Sequence, residues 1–207
     1  MTEIPKWHNW VERLQTIARA GLTYSQNTFD LDRYQQVQTL AAEILAEGLD
    51  SPIEKTEALL GNEQGYATPK LDVRGVVFKE GKILMVKEVI DGEWTLPGGW
   101  VDVGEPPSLS AEREVWEESG YEVRAVKLLA LYDHRKHDFR PYFFHIYKLF
   151  FLCELLGGQP TNSIETNGVG FFGRNEIPSL SNGRITKSIL ERMFELAENP
   201  AAPTDFD

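Results

Sequence analysis

The chain has 207 residues and a formal net charge of −11 at pH 7. Its hydrophobic content of 42% and charged content of 26% are ordinary for a globular protein. The length allows one domain with an appendage, or two small domains. The negative charge argues against DNA as a partner and disfavours RNA, because non-specific binding to nucleic acids needs clustered Lys and Arg. No apolar run approaches the roughly 20 residues of a membrane-spanning helix, and no basic and apolar leader opens the sequence, so we expect a cytoplasmic protein without a membrane partner.

The first third of the sequence has the periodicity of α-helices. Apolar residues recur at steps of three and four over 7–18 and 31–45, and Ser51-Pro52-Ile53-Glu54 has the pattern of a capping box. A polar, Gly-containing segment follows. We therefore place a small all-helical N-terminal domain at 1–66 and a second domain at 67–207. Helices of this size bury a modest core, so we expect the first domain to serve packing or dimerisation and the protein to be a homodimer.

The second domain has the pattern of strands. A Val-rich segment at 71–78 and an apolar segment at 83–86 flank Glu80-Gly81, which predicts a hairpin. Further strands and a C-terminal amphipathic helix are expected at 121–131, 142–155, 169–172 and from Ile185. Strands with one acidic helix between them and a helix at the end predict an α+β fold. We expect the last residues, 199–207, to form a frayed tail.

Three acidic residues between these strands carry the chemical signal. Glu114, Glu117 and Glu118 are three and four positions apart, so a helix places them on one face. Like charges at these spacings repel one another, and a cation offsets the repulsion. Mg²⁺ takes oxygen ligands from carboxylates and often shares them with substrate phosphates. The spacing therefore predicts a divalent-metal site on this helix.

The flanks of the acidic segment indicate where the helix begins and ends. The pair Pro106-Pro107 suits a first helical turn, and Gly120 suits a left-handed cap. Upstream, the turn at 96–99 lets the backbone approach a ligand closely. Leu109 and Trp116 lie roughly opposite the acidic residues, which predicts that this side of the helix is buried.

Residues 99–121 resemble the Nudix box, the pattern G-x5-E-x7-R-E-U-x-E-E-x-G-U in which U is apolar. The residues that match it are Gly99, Glu105, Arg113, Glu114, Val115, Glu117, Glu118 and Gly120. Only Tyr121 departs from the pattern, at a position that is structural. The resemblance implies an α/β/α Nudix sandwich with a mixed β-sheet within the α+β class. It also implies a divalent-metal-dependent pyrophosphohydrolase.

The resemblance also implies roles for individual residues. The implied metal ligands are the carboxylates of Glu114, Glu117 and Glu118 and the carbonyl of Gly98, with Mg²⁺ as the cofactor and Mn²⁺ as the alternative. Arg113 would orient the glutamates through charge-assisted hydrogen bonds. Glu105 would support the start of the helix, where a negative charge is favoured. The general base is either a box glutamate, Glu114 or Glu118, or the loop residue Glu165.

A loop at 133–140 concentrates cations in a chain that has few of them. The candidates for substrate binding are His134, Arg135, Arg140 and Tyr142. The alternative is a solvated hairpin loop. The aromatic run from Tyr142 to Phe144 could line a pocket for a base, although strand alternation places at least one of these rings in the core. The single cysteine, Cys153, excludes a disulfide framework and a CxxC metal site.

The N-terminal helices resemble the extension of a Nudix subgroup that includes CDP-choline pyrophosphatases and proteins named ADP-ribose pyrophosphatases. This resemblance implies a small nucleotide substrate: CDP-choline or a similar compound first, ADP-ribose or another nucleotide sugar second, and RNA or oxidised nucleoside triphosphates third. Trp7 or Trp10 is an alternative stacking partner for a substrate base. A non-catalytic nucleotide sensor with a Nudix fold is the alternative of another class, and the intact set of glutamates argues against it.

Overall fold

The computed structural model describes residues 5–61, 65–140, 142, 144–199 and 201–207. The chain divides into two compact units, Met1–Thr68 and Pro69–Asp207. Our sequence-based boundary between residues 66 and 67 lies two residues before this division. Within the described residues, no helix is both long enough and apolar enough to cross a membrane.

The first unit is built from helices. These are α1 (Lys6–Tyr24), α2 (Thr28–Leu49) and α3 (Ile53–Gly61). Asn27 caps α2, because its side-chain oxygen accepts hydrogen bonds from the N–H groups of Phe29 and Asp30. The buried apolar residues of the unit include Val11, Ala18, Ala41, Ala42, Leu45 and Leu60. Larger side chains stay outside this small core, and both Trp10 and Ile17 on α1 are 54% exposed.

The described residues of the second unit form a mixed sheet of seven strands. These are β1 (Lys70–Lys79), β2 (Lys82–Glu88), β3 (Trp94–Thr95), β4 (Tyr121–Asp133), β5 (Ile146–Gly158), β6 (Thr166–Phe172) and β7 (Asp205–Phe206). The order across the sheet is β3-β2-β1-β5-β4-β7, and β6 pairs with β2. β1 runs antiparallel to β2 and parallel to β5, so it joins the two halves of the sheet. The expected α+β class with a mixed sheet is confirmed.

Two helices pack on the two faces of this sheet, α4 (Pro107–Ser119) and α5 (Lys187–Glu198). Successive residues of β1 point to opposite faces. Gly75 faces α4 so closely that a Cβ atom there would lie 2.2 Å from Cγ2 of Val115. Its neighbour Val76 belongs to the core that contains Leu190 and Met193 of α5. This arrangement is the α/β/α sandwich that the resemblance implied.

The expected burial of Leu109 and Trp116 was wrong. These two side chains on α4 are 51% and 56% exposed, whereas Ala111 and Val115 are fully buried. Helix α4 therefore contacts the sheet through its smaller residues, which lie beside the acidic face rather than opposite it. The close approach at Gly75 leaves room on this contact face for small or β-branched side chains only.

The expected frayed tail at 199–207 was also wrong. Its last residues form β7, which pairs in parallel with β4. The carboxylate of Asp205 accepts hydrogen bonds of 2.8 Å from the Tyr132 hydroxyl and of 2.6 Å from Nε of Arg192. A two-residue strand has too few residues for a period to appear in the sequence. Side-chain partners distant in the chain hold it instead.

Candidate active site

The segment between β3 and α4 is fastened to β1 and forms one wall of a cavity. Its backbone hydrogen bonds are Gly75 N to Pro97 O at 2.8 Å, Val73 N to Gly99 O at 2.8 Å and Val101 N to Leu71 O at 3.1 Å. Gly98 has a φ of 145°, and a Cβ atom there would lie 2.0 Å from the carbonyl oxygen of Val73. Only glycine permits so close an approach of two backbones. The wall therefore presents Gly98 and Gly99 to the cavity without side chains.

Helix α4 brings Glu118 against this wall. The helix has Pro107 in its first turn and ends at Gly120, whose φ is 75°. Glu118 is 5% exposed and accepts a hydrogen bond of 2.9 Å from the N–H of Gly98. Burial raises the pKa of Glu118 to about 8, although the charge of Arg74 and the Gly98 hydrogen bond act in the opposite direction. A cation bound beside Glu118 would lower this pKa and so favour the ionised carboxylate.

Arg113 lies among the other acidic residues of the box. Its Nη1 donates to Glu114 at 3.0 Å and to Glu117 at 2.9 Å. Its Nε and Nη2 donate to Glu105 at distances between 2.9 and 3.3 Å. Burial raises the pKa of Glu114, and the adjacent charge of Arg113 opposes this rise. One guanidinium thus holds three carboxylates together that would otherwise repel one another.

One oxygen of each of the three proposed ligand carboxylates stays available. Among the described residues, no hydrogen bond reaches Oε2 of Glu114, Oε1 of Glu117 or Oε1 of Glu118. In the same part of the chain, no three His, Cys, Asp or Glu side chains converge closely enough to hold a metal in this arrangement. Three carboxylates and a glycine carbonyl are nevertheless the oxygen donors that Mg²⁺ and Mn²⁺ prefer. The residues present therefore fit a divalent metal, towards which the available oxygens must turn.

A cavity of about 1400 Å³ opens beside the glutamates. The sequence-predicted residues in its lining are Gly98, Arg113, Glu114, Glu117, Glu118, Arg140, Tyr142 and Glu165. Glu105 is not part of this lining, and its side chain is joined to the site by hydrogen bonds from Arg113. The backbone carbonyl of Glu165 accepts a hydrogen bond of 2.8 Å from the N–H of Val89, which fixes its loop to the end of β2. The fold thus brings a loop acid and two substrate candidates into the same cavity as the box.

Two other substrate candidates, His134 and Arg135, are not part of the cavity lining. They lie in a short 3₁₀ turn, and His134 is 3% exposed. Its ring stacks on Phe139 with centroids 4.9 Å apart. Burial and the charge of Lys148 lower the pKa of His134 to about 4, so the imidazole is neutral near pH 7. In this arrangement His134 offers no positive charge to a phosphate.

Sequence reasoning missed a group of buried charges at the back of the cavity. Asp72 and Arg74 of β1 pair with each other at 2.8 Å, and Lys148 of β5 reaches Asp72 at 2.9 Å. All three residues are at most 5% exposed. Parallel pairing places Asp72 directly beside Lys148. Their signal in the sequence was the presence of charged residues, Asp72 and Arg74 in β1 and Lys148 in β5, inside two largely apolar strands. Charged residues are rarely buried without a partner.

A second missed pair lies where β2 ends. Glu88 is 5% exposed, and one of its carboxylate oxygens lies 3.0 Å from Nε of Arg184. Arg184 also lies 3.4 Å from a carboxylate oxygen of Asp91. All three residues line the cavity. The cavity lining therefore carries charged residues in addition to the glutamates of the box.

Two domain families match the chain, namely the UDP-X-like, N-terminal oligomerisation domain over residues 5–60 and the NUDIX domain over residues 68–193. A Bacillus subtilis relative, described as the putative ADP-ribose pyrophosphatase YjhB, is 41% identical over 98% of this chain and 97% of its own. The crystal structure of a Streptococcus suis ADP-ribose pyrophosphatase, 40% identical, superposes with a TM-score of 0.63 over 68% of this chain and 100% of that chain. The crystal structure of a UDP-X diphosphatase, 30% identical, superposes with a TM-score of 0.64 over 97% and 98%.

The matches extend over both units, and the NUDIX domain match includes the box and the cavity described above. Identity to the Bacillus subtilis relative spans nearly the full length of both chains. The N-terminal match agrees with helices that leave large apolar side chains exposed. The chain therefore belongs to the Nudix hydrolases and is a pyrophosphohydrolase in which a UDP-X-like oligomerisation domain precedes the NUDIX domain.

Proposed function

We propose that this protein cleaves the diphosphate bond of a nucleoside diphosphate linked to a second group, with Mg²⁺ as cofactor and Mn²⁺ as the alternative metal. The observation that carries the proposal is the arrangement of Glu114, Glu117 and Glu118. One oxygen of each carboxylate is anchored by a hydrogen bond, and the other remains available beside a cavity. A protein that only bound nucleotides would have no need to hold three repelling carboxylates in this way.

Glu114, Glu117 and Glu118 would hold the metal together with the carbonyl of Gly98. When bound, a divalent ion offsets charge on the diphosphate and lowers the pKa of a bound water. Arg113 orients Glu114 and Glu117 through its hydrogen bonds, and the N–H of Gly98 orients Glu118. These contacts hold one oxygen of each carboxylate before substrate arrives, and the other oxygens would turn towards the metal when it binds.

Hydrolysis requires an acceptor for one proton of water. As the water oxygen bonds to one phosphorus, the bond from that phosphorus to the bridging oxygen breaks, and the other phosphate leaves. We propose Glu165 as the acceptor, because it lines the cavity on a loop fixed to β2. Glu114 or Glu118 is the alternative acceptor.

The rest of the substrate would lie against the opposite part of the cavity. Arg140 is exposed, and no ion pair to it exists within the described residues. A guanidinium in this position suits a phosphate oxygen of the substrate. Tyr142 lines the cavity two residues further along the same loop. We therefore keep Arg140 and Tyr142 as substrate-binding residues and give no direct role to His134 and Arg135.

The names of similar proteins shift the order of substrates to be tested. Two of these proteins carry the name ADP-ribose pyrophosphatase and a third is a UDP-X diphosphatase. These names support a nucleotide sugar, while CDP-choline stays a prediction from sequence. The oligomerisation-domain match supports our further proposal that the first 66 residues mediate a homodimer.

The test is hydrolysis of ADP-ribose, UDP-glucose, CDP-choline and nucleoside triphosphates by the full chain, with Mg²⁺, with Mn²⁺ and with a chelator. We expect metal-dependent release of a nucleoside monophosphate from at least one diphosphate-linked compound. The chelator should abolish release, and added metal should restore it. Tight binding of a nucleotide without turnover of any compound would instead support the non-catalytic sensor.

A further inference from the structure

Two large aromatic rings lie together at the rim of the cavity. Trp100 and Tyr142 both line it, with ring centroids 6.2 Å apart and planes inclined by 49°. Their exposed fractions are 43% and 48%, so neither ring belongs to the hydrophobic core. The ring centroid of Tyr142 also lies 6.1 Å from that of Phe144. We call Trp100 and Tyr142 the aromatic pair.

The backbone of Trp100 is held firmly. The residue forms an antiparallel bridge with Asp72. On one side the carbonyl of Gly99 accepts a hydrogen bond from the N–H of Val73 in β1, and on the other the N–H of Val101 donates one to the carbonyl of Leu71. The ring therefore stands on a fixed support rather than on a free loop, which reduces the entropy lost when a ligand contacts it.

Trp100 is also close to the chemical centre along the chain. It follows Gly98, whose N–H holds Glu118, by two residues. Two residues of extended backbone span about 7 Å. A group stacked on Trp100 therefore lies one short spacer away from a diphosphate held at the glutamates. In a nucleoside diphosphate, the ribose is such a spacer between the phosphates and the base.

Aromatic side chains bind nucleobases by stacking and quaternary ammonium groups by cation–π contact. Arg140, two residues before Tyr142, lines the same cavity, and no ion pair to it exists within the described residues. We choose the base, because an unpaired guanidinium this close along the chain opposes a second cation, whereas stacking of a base needs no charge.

We propose that the aromatic pair is the subsite that stacks the nucleobase of the substrate, with Trp100 as its main platform. This inference rests on the proposed function and adds the residues that recognise the nucleoside half. Because every base has a π face, stacking alone predicts tolerance among bases and strong preference for compounds that carry one. The second group of the substrate then extends from the other side of the diphosphate.

The test measures binding without metal, so that no hydrolysis is needed. AMP, UMP and CMP are titrated into the full chain in the presence of a chelator, with ribose 5-phosphate as the ligand that lacks a base, and binding is followed by calorimetry. We expect at least one monophosphate to bind more tightly than ribose 5-phosphate. Trp100→Ala should weaken that binding about tenfold to a hundredfold, and Trp100→Phe should retain most of it.

Phe206→Ala is the matched control. Phe206 is an exposed aromatic residue of β7 in the same unit, and it is not part of the cavity lining. We expect binding by this variant to equal that of the wild type. Equal weakening by Phe206→Ala and Trp100→Ala would overturn the subsite, and so would equal affinity for ribose 5-phosphate and the monophosphates.

Hydrolysis separates this inference from the proposed function. If the panel of diphosphates is hydrolysed and Trp100→Ala raises KM more than it lowers kcat, both hold. If the panel is hydrolysed and Trp100→Ala leaves KM unchanged, the subsite fails while the function stands. If monophosphates bind through Trp100 but no compound is hydrolysed, the function fails and the base subsite remains.

Discussion

Burial disfavours the ionised form of Glu118, whereas the proposed metal site needs that form. A carboxylate that is 5% exposed loses most of its hydration, and a single backbone N–H compensates for only part of this loss. The raised pKa of Glu118 expresses the remaining cost of ionisation. Strongly shifted carboxylates of this kind are typical of functional sites, where the charge is needed for binding or catalysis.

We expect Glu118→Gln to lower kcat/KM by about a hundredfold or more, because the charge that would hold the metal is lost. Without metal, the variant should be at least as stable as the wild type at pH 8. An acid whose folded pKa is raised to about 8 from 4.5 stabilises the fold fully below pH 4.5 and loses this contribution as the pH rises through 8. Activity assays and thermal melts at pH 5 and pH 8 measure both effects.

Glu122→Gln is the control for this prediction, because Glu122 is an exposed glutamate at the start of β4. Its substitution should leave both activity and melting temperature close to the wild type. Near-normal hydrolysis by Glu118→Gln would remove Glu118 from the proposed metal ligands.

The pKa of Asp72, also a buried carboxylate, is shifted in the opposite direction. Burial acts to raise its pKa, but the charges of Arg74 and Lys148 outweigh burial and lower the pKa from 3.8 to about 2. Replacing the carboxylate leaves two buried cations without their partner, so we expect Asp72→Asn to cost about 3–5 kcal/mol of unfolding free energy. Chemical denaturation at pH 7 measures this. Glu154→Gln, which breaks an exposed pair with Arg124, should cost at most about 1 kcal/mol.

The lowered pKa of Asp72 predicts that the stability of the fold depends on pH. A depressed pKa gives stability that is fully present above 3.8 and is lost as the pH falls through 2. The wild type should therefore lose more stability than Asp72→Asn between pH 4 and pH 2. Parallel loss in both proteins would mean that Asp72 is not the group that titrates.

These two residues show what the sequence could and could not reveal. Glu118 stood in a motif whose spacing fits one turn of a helix, so a local pattern was enough to find it. Asp72 acts together with Lys148, which lies 76 positions later in the chain. Only the parallel pairing of two strands brings these side chains together, and no local period records that pairing.

At the scale of elements, the turn at Gly98 links the sheet to the acidic helix. It puts an N–H within 2.9 Å of Glu118 while its own backbone lies against that of β1. Helix α4 could be predicted closely, because its prolines, its acidic spacing and its terminal glycine are all local signals. Its buried face could not, because the choice between Val115 and Trp116 depends on how near the sheet approaches.

We expect Gly98→Ala to destabilise the second unit and to reduce hydrolysis strongly. The new Cβ would lie 2.0 Å from the carbonyl oxygen of Val73, so one of two hydrogen-bonded backbones must move. Gly104→Ala is the control, because Gly104 has a φ of 89° but a methyl group there would meet no atom within 4 Å. That substitution should cost only the backbone strain, about 1 kcal/mol. Equal melting temperatures for the two variants would contradict the close-approach explanation.

At the scale of the whole molecule, the first unit exposes large apolar side chains. On α1, Trp10 and Ile17 are seven residues apart, so they lie on nearly the same side of the helix, and each is half exposed. The sequence indicated this helical unit and its need for a partner. It could not indicate which apolar residues stay outside the core, because apolar residues occur on more than one side of the helix and the periodicity does not distinguish these sides.

We expect the full chain to be a dimer in solution and the double variant Trp10→Glu, Ile17→Glu to shift it towards a monomer. Charges placed on an apolar contact are costly to bury and exclude association. Light scattering coupled to size exclusion, over a range of protein concentrations, measures the mass. Leu156→Glu, at an exposed position of β5, should leave the mass unchanged. A double variant that stays dimeric would place the interface elsewhere.

The position of β1 in the sheet has a consequence for synthesis of the chain. β1 is made early, but its parallel neighbour β5 emerges about 76 residues later, which at translation rates of about 5–20 residues per second is a delay of roughly 4–15 s. During this interval the nascent strand has an open, Val-rich edge of the kind that recruits other chains. Asp72 and Arg74 interrupt that edge with charge, and we expect the residues that later form the back of the cavity to disfavour such association while the sheet is incomplete.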